Sequence, residues 1–472
     1  MAEQDTDSPW FGRRDARMGP FDAVMYGIEG DPLLRTGIIA VIDLDRSPDQ
    51  DQVASRTERL TRIFPRLRQR AIGGGFSPAP PRWETDPHFD LDYHIRWRRL
   101  PDGTGGDARS GVLAYASRMG EQDFDHSRPL WELAVLTDLP DGAAAMIFKI
   151  HHSVADGMGG IAMSAALFDL TPEPAELGPM PAVAAADPAG VLGRMRQTTA
   201  FTVDAVRETV VGAARAYGRG AWSLLTRPVQ SARTGGRTAM AAATSLSPQG
   251  EPKSELMRER SLSSRFTAIA VPLDPLRQTA RDADVTLNIV FIAAVAAAVG
   301  RYHRDHGEEL PAFRVNMPVN QRKPGDEATG NHWMPARFLV PCGDLDPAAR
   351  LHQLHGIVDE ARQDPTLGLS DVLYKAMAAL PDPVTERLAG SLMKGVDVAA
   401  TNVPGPPIPV YLCGAAVTGM TAFAPKAGAA ANIGLLTYNA IAHIGVNADV
   451  VAIPDVDEFT AYLTQAFADY GG

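Results

Sequence analysis

Residues 144–150, Ala-Ala-Met-Ile-Phe-Lys-Ile, form an apolar, β-favouring run that ends abruptly on His151 and His152. Ser153-Val154-Ala155-Asp156-Gly157-Met158-Gly159-Gly160 follows, and helical character is expected over residues 161–170. A strand that turns directly into a helix holds side chains rigidly at the turn, where a fold can place reactive groups. Histidine suits proton transfer near neutral pH. Asp156 stands four residues after His152, and Gly157 beside it permits a tight backbone path. Paired histidines also serve as metal ligands, but no third or fourth His, Cys or Glu stands at a zinc-like spacing, so no metal is expected. A purely structural pair of histidines stays open on these residues alone.

At 472 residues the chain exceeds one ordinary core, so two domains are expected. Hydrophobic content of 45% marks it as globular. Lys+Arg of 45 against Asp+Glu of 56 gives a formal charge of −11, which argues against general nucleic-acid binding. Two cysteines, Cys342 and Cys413, are too few for a disulfide framework and fit a reducing compartment. The acidic, polar beginning shows no signal-peptide pattern, and no run reaches the ~18 apolar residues of a spanning helix, so a cytoplasmic protein is expected.

Along the chain, residues 37–44 read as a strand, 52–63 and 111–121 as helices, and 133–136 with 144–150 as a hairpin turning at Asp141-Gly142. Trp131, in Pro129-Leu130-Trp131, reads as a core residue whose proline fixes the strand entry. His94 reads as structural. Residues 187–248 change character, with apolar positions at helical spacing among many arginines. They suit helices bridging two domains, or a basic amphipathic face against lipid or anionic substrate. The second half repeats the outline of the first: a strand over 265–271, a helix over 273–283 and an alanine-rich helix opening near Asn288 and reaching Tyr302.

His151-His152-x-x-x-Asp156-Gly157 resembles the signature of the CoA-dependent acyltransferase superfamily, which includes chloramphenicol acetyltransferase and nonribosomal peptide condensation domains. Further words are similar to the bacterial wax ester synthase/diacylglycerol acyltransferase family. They are Phe21-Asp22-Ala23, Pro65-Arg66-Leu67-Arg68, Pro129-Leu130-Trp131, Pro318-Val319-Asn320-Gln321-Arg322, Gly330-Asn331 and Thr401-Asn402-Val403-Pro404-Gly405-Pro406. Phe21, Ile289 and Thr401 stand where the family commonly has Leu, Asp and Ser. Without that aspartate, Asn288 is read as a helix-start or substrate-polarising residue.

The resemblance implies an α/β fold of two chloramphenicol-acetyltransferase-like domains with the active-site tunnel at their interface. The expected boundaries are 1–180 and 251–472, with a helical linker over 181–250. It implies His152 as general base with His151 supporting it, and Asp156 and Gly157 holding the turn. Asn288, Thr401 and Asn402 are candidates to polarise substrate or hold an oxyanion. A buried Asp156 needs a cation or several N–H donors, and Arg68 is the candidate. No cofactor is expected to be bound. Acyl-CoA is the expected co-substrate and a hydroxyl-bearing lipid or alcohol the acceptor, with peripheral membrane or lipid-droplet contact through residues 190–240 as a further expectation. Two other functions fit the same residues: a same-fold acyltransferase using a specialised acceptor or carrier-bound donor, and a non-catalytic lipid-binding protein.

Overall fold

The computed structural model describes residues 17–75, 77, 79–100, 107–155, 157–183, 251–320, 333–362 and 374–471. In the first half, α1 is Pro20–Gly27, β1 Gly37–Leu44, α2 Gln50–Ile63, β2 Gln69–Ile72, β3 Arg82–Thr85, α3 Leu91–His94, β4 Ile95–Arg99, α4 Ala108–Glu121, β5 Trp131–Thr137, β6 Ala144–His151 and α5 Gly157–Leu167. In the second, β7 is Ser264–Pro272, α6 Leu273–Asp282, α7 Leu287–Asp305, β8 Ala312–Asn320, β9 Trp333–Pro341, α8 Pro347–Arg362, α9 Asp382–Met393, β10 Val398–Pro404, β11 Tyr411–Leu412, β12 Ala415–Phe423, β13 Ala431–Tyr438, β14 Ile441–Asp449 and α10 Val456–Gly471.

Two six-stranded sheets result, ordered β11-β12-β1-β6-β5-β4 and β7-β14-β13-β10-β8-β9, with a separate β2-β3 pair. The first is covered on both faces, which explains the unbroken apolar run of β6. Ile39, Val41, Ala145 and Ile147 pack with Val112, Ala116 and Met119 of α4. The alternate residues Ile42, Leu44, Ala144 and Met146 pack with Val53 and Leu60 of α2 and Met163 of α5. Trp131 is 1% exposed, donates its indole N–H to Leu67 O at 2.7 Å, and stacks on His94 at 4.4 Å. His94 also holds Trp131 O through Nδ1 at 2.7 Å, and burial brings its pKa down to about 4. Both residues are thus architectural.

The second sheet buries one face under α6, α7, α8 and α10. Among the described residues no single helix is long and apolar enough to cross a membrane. The bent pair α6 and α7, 103° apart, meets that length and composition only together, and α7 is a buried core helix.

The halves are not consecutive in the sequence. β12, with the short β11 before it, lies in the first sheet, antiparallel to β1 with Ile39 opposite Phe423, although β10 before the pair and β13 after it belong to the second. A strand exchanged this way pairs with residues hundreds of positions away and leaves no local signal, so a division of the chain at residue 251 does not anticipate it. Its seat on the second sheet is made by glycines. A Cβ on Gly445 would stand 2.4 Å from Ala422 O, and one on Gly434 3.1 Å from it. Phe423 and Phe266 of β7 stack at 4.2 Å across the same junction.

α5 starts at Gly157, earlier than the glycine-rich sequence suggests. Tertiary packing overrides the low helix propensity of glycine, because a Cβ on Gly157 would stand 3.2 Å from Val403 Cγ2. The glycine lets the helix start press against β10.

Candidate active site

His151 closes β6 opposite Gly37 of β1, and its N–H donates to Leu130 O at 3.0 Å. Its side chain is 0% exposed. The backbone N–H of Ser153 donates to His151 Nδ1 at 3.0 Å, with Ser153 Oγ at 2.7 Å from the same atom. Nδ1 is therefore the acceptor and the ring proton sits on Nε2. Nε2 faces Glu29 Oε2 at 3.0 Å and Thr36 Oγ1 at 3.1 Å. Glu29 Oε1 in turn accepts from Thr36 N–H at 2.8 Å and Thr36 Oγ1 at 2.9 Å. Burial would raise the Glu29 carboxyl, but His151 and the Thr36 donors hold it below its usual range. His151 is thus a locked strut.

His152 is the partly exposed member of the pair. Its N–H donates to Thr36 O at 3.2 Å, so the residue that Glu29 pins also pins the His152 backbone. The Phe21 ring of α1 lies edge-on to the His152 ring at 6.1 Å, and Tyr374 lies edge-on to Phe21 at 4.9 Å. The aromatic at position 21 therefore forms one wall beside His152.

The second half meets this turn along β10. Val398 and Ala400 point into the core under α7, so Ala399, Thr401 and Val403 point the other way, towards the first half. Val403 touches Gly157, which places Thr401 on the junction face one pleat away. Asn402 faces α7, and its Nδ2 donates to Asn288 Oδ1 at the start of that helix. The three polar candidates therefore gather around one end of β10, with Asn288 and Asn402 joined and Thr401 on the opposite face.

Asp156, Arg322, Gly330, Asn331 and the arginine-rich stretch 190–240 lie outside the described residues. Arg68 binds Glu58 of α2 at 3.0 and 3.1 Å and Thr61 Oγ1 at 3.0 Å, with its guanidinium 4.1 Å above the Phe89 ring. Its counter-ion among the described residues is Glu58, ten residues earlier and on the adjoining helix. Glu29 and Thr36 were missed by sequence reasoning. They stand in a loop without periodicity and meet His151 only through the fold. Buried Arg56 and Asp169, paired at 2.7 Å, tie α2 to the segment after α5 and were missed for the same reason.

Residues 18–291 match the family described as the wax ester synthase/diacylglycerol acyltransferase catalytic domain, and residues 329–470 match its C-terminal domain. The chain belongs to the wax ester synthase/diacylglycerol acyltransferase family. It is an acyltransferase of that type. A Mycobacterium tuberculosis protein named as a proposed diacylglycerol O-acyltransferase is 32% identical over 99% of this chain and 93% of its own length. The O-acyltransferase WSD of Acinetobacter baylyi is 26% identical over 83% of each chain. The fold of the wax ester synthase/diacylglycerol acyltransferase from Marinobacter aquaeolei superposes with TM-score 0.62 at 20% identity, covering 96% of this chain and 98% of that one. The first condensation domain of the CDA synthetase shares the fold at TM-score 0.55 and 16% identity, covering 98% of each chain. The family's two-domain, chloramphenicol-acetyltransferase-like architecture is therefore that of this chain.

Proposed function

We propose that this acyltransferase moves a fatty acyl group from acyl-CoA to the hydroxyl of diacylglycerol or a long-chain alcohol, with His152 as general base. The observation that carries the reading is the fixed turn: His152 is held by its own backbone N–H on Thr36 O, beside the line where Gly157 meets β10. Its imidazole takes the proton of the acceptor hydroxyl as that oxygen attacks the thioester carbonyl. An alcohol is barely ionised at neutral pH, so this transfer is worth ~10²–10⁴-fold in rate. The tetrahedral oxyanion needs donors. Asn402 Nδ2 already donates to Asn288 Oδ1, which leaves the Asn288 amide N–H groups available, and the Thr401 hydroxyl lies on the junction face. The thiolate leaves and His152 returns the proton, so no acyl-enzyme is required. His151, with its only ring proton directed at Glu29 and Thr36, is a support in this scheme.

The test is thiol release from palmitoyl-CoA with hexadecanol or diacylglycerol as acceptor, beside His152→Ala. Acceptor-dependent release that falls by ~10²-fold or more in the folded variant is expected. Undiminished turnover in a variant with the wild-type melting curve would remove His152 from the chemistry.

A further inference from the structure

The junction face of the second sheet carries polar side chains that the reaction scheme does not use. Arg337 of β9 and Asn316 of β8 are cross-strand partners, and Asn316 lies in register with Ala399 of β10. Phe313, Val315 and Met317 enter the core under α7, so Asn316 and Arg337 point to the opposite side, the side of Thr401 and Val403. Arg337 Nε and Asn316 Oδ1 are both buried, and neither has a hydrogen-bond partner among the described residues. Arg337 makes no ion pair with a described carboxylate. Burial lowers its pKa, with Tyr374 opposing and Arg314 adding to the shift. Tyr374 is the ring that packs on Phe21, which in turn borders His152. A buried donor or acceptor left unmatched costs about 1–3 kcal/mol. One of each, on cross-strand neighbours of a face that leads to the histidine, can meet the two ends of a secondary amide lying between them: N–H to Asn316 Oδ1, and C=O to Arg337 Nε–H.

Resting on the acyl-transfer reading above, we infer that Asn316 and Arg337 form a docking pair for an amide of the acyl donor's pantetheine arm. The two substrates differ in this chemistry. Long-chain alcohols and diacylglycerol carry no amide, whereas the thioester arm carries two, separated from the sulfur and from each other by short methylene spacers. The pair makes these residues positioning groups for the donor. It holds the arm so that the thioester reaches His152 while the acceptor is bound elsewhere.

The experiment compares donors with and without the amides. Palmitoyl-pantetheine and S-ethyl hexadecanethioate are given to the wild type, Arg337→Met, Asn316→Leu and Arg337→Gln, and donor and acceptor KM are measured separately. In Arg337→Met and Asn316→Leu the KM for palmitoyl-pantetheine is expected to rise by ~10-fold or more, as loss of about 1.4 kcal/mol or more demands. The KM for S-ethyl hexadecanethioate and for the acceptor should hold, and Arg337→Gln, which keeps a donor, should recover most of the loss. An equal rise for both thioesters, a rise in acceptor KM instead, or no rise in a folded variant overturns the docking pair. Wild-type protein that turns over neither thioester nor palmitoyl-CoA overturns the acyl-transfer reading itself, and this inference with it; wild type that uses palmitoyl-CoA but neither truncated thioester overturns the docking pair, because the arm is then not enough to hold a donor. Wild type that uses both thioesters equally well overturns the docking pair alone.

Discussion

Glu29→Gln removes one charge and no volume, and its effect can be worked out from the hydrogen bonds. In the wild type both carboxylate oxygens face donors: Oε1 takes Thr36 N–H at 2.8 Å and Thr36 Oγ1 at 2.9 Å, and Oε2 faces His151 Nε2 at 3.0 Å. His151 cannot move its proton to Nδ1, because that atom already accepts from Ser153 N–H at 3.0 Å. A glutamine amide therefore sets its own N–H₂ against a donor in either orientation. Glu29 is 7% exposed, so water does not relieve the clash. Losing a charge-assisted hydrogen bond and stranding a buried donor together cost about 2–4 kcal/mol. At roughly 2–4 °C per kcal/mol for a domain of this size, the melting temperature should fall by at least ~4 °C. Turnover should fall too, by ~10-fold or more, because Thr36 O is the acceptor that fixes the His152 backbone. Differential scanning fluorimetry and thiol-release kinetics read the two effects. A variant that melts within ~1 °C of wild type and keeps its kcat would refute the strut.

Two further predictions concern buried charge. Arg56→Met strands Asp169, whose side chain is 2% exposed, and should cost about 3–5 kcal/mol in urea unfolding, whereas Arg56→Met with Asp169→Leu should recover most of it; a single variant as stable as wild type would contradict this. Asp43, beside Arg109, has its carboxyl raised to about 6 by burial, against the pull of that arginine. Its stabilising contribution is full below the unfolded pKa near 4 and is lost as pH rises through about 6. His443, lowered to about 4 by burial and by Arg109, works in the opposite sense: its contribution is full above about 6.5 and is lost as pH falls through about 4. The two offset each other in the wild type. Asp43→Asn should therefore lose stability more steeply than wild type between pH 6.5 and 4, and parallel pH profiles would show that Asp43 is not shifted.

What was legible in the sequence was what local pattern encodes. β1 and β6 follow from their β-branched and apolar runs, and Trp131 follows from its place at a strand entry. His152 stood out because a strand-turn-helix with paired histidines is a chemical as well as a structural pattern. Asn288 and Asn402 were each singled out, but nothing in either segment announces that one donates to the other across 114 residues. Glu29 carried no signal at all, since its partners are a loop threonine and a histidine at the end of a strand. Arg68 is a different case. The sequence offered Asp156 as its partner, a residue outside the described ones, and did not single out Glu58 of α2, with which Arg68 pairs among the described residues.

The strand exchange decides how the two halves can act on one substrate. β12 is hydrogen-bonded to β1, β1 to β6, and β6 ends at the histidines, so the position of β12 sets the position of the turn. The other side of β12 is seated by backbone contact, with Ala422 O against Gly434 and Gly445 of the second sheet. Asn432 and Asn447 grip the chain that follows it, donating to Pro425 O at 2.9 Å and Ala424 O at 3.0 Å. The relative placement of His152 and β10 is therefore set by ladders and glycine-seated backbone, which are stiffer than side-chain contacts between separate domains. Opening the junction as a hinge would lift β12 off Gly434 and Gly445 of the second sheet, because β12 is tied by its ladder to β1 in the first. The polar side chains of β8, β9 and β10 that the sheet leaves outside its core lie on this same junction face.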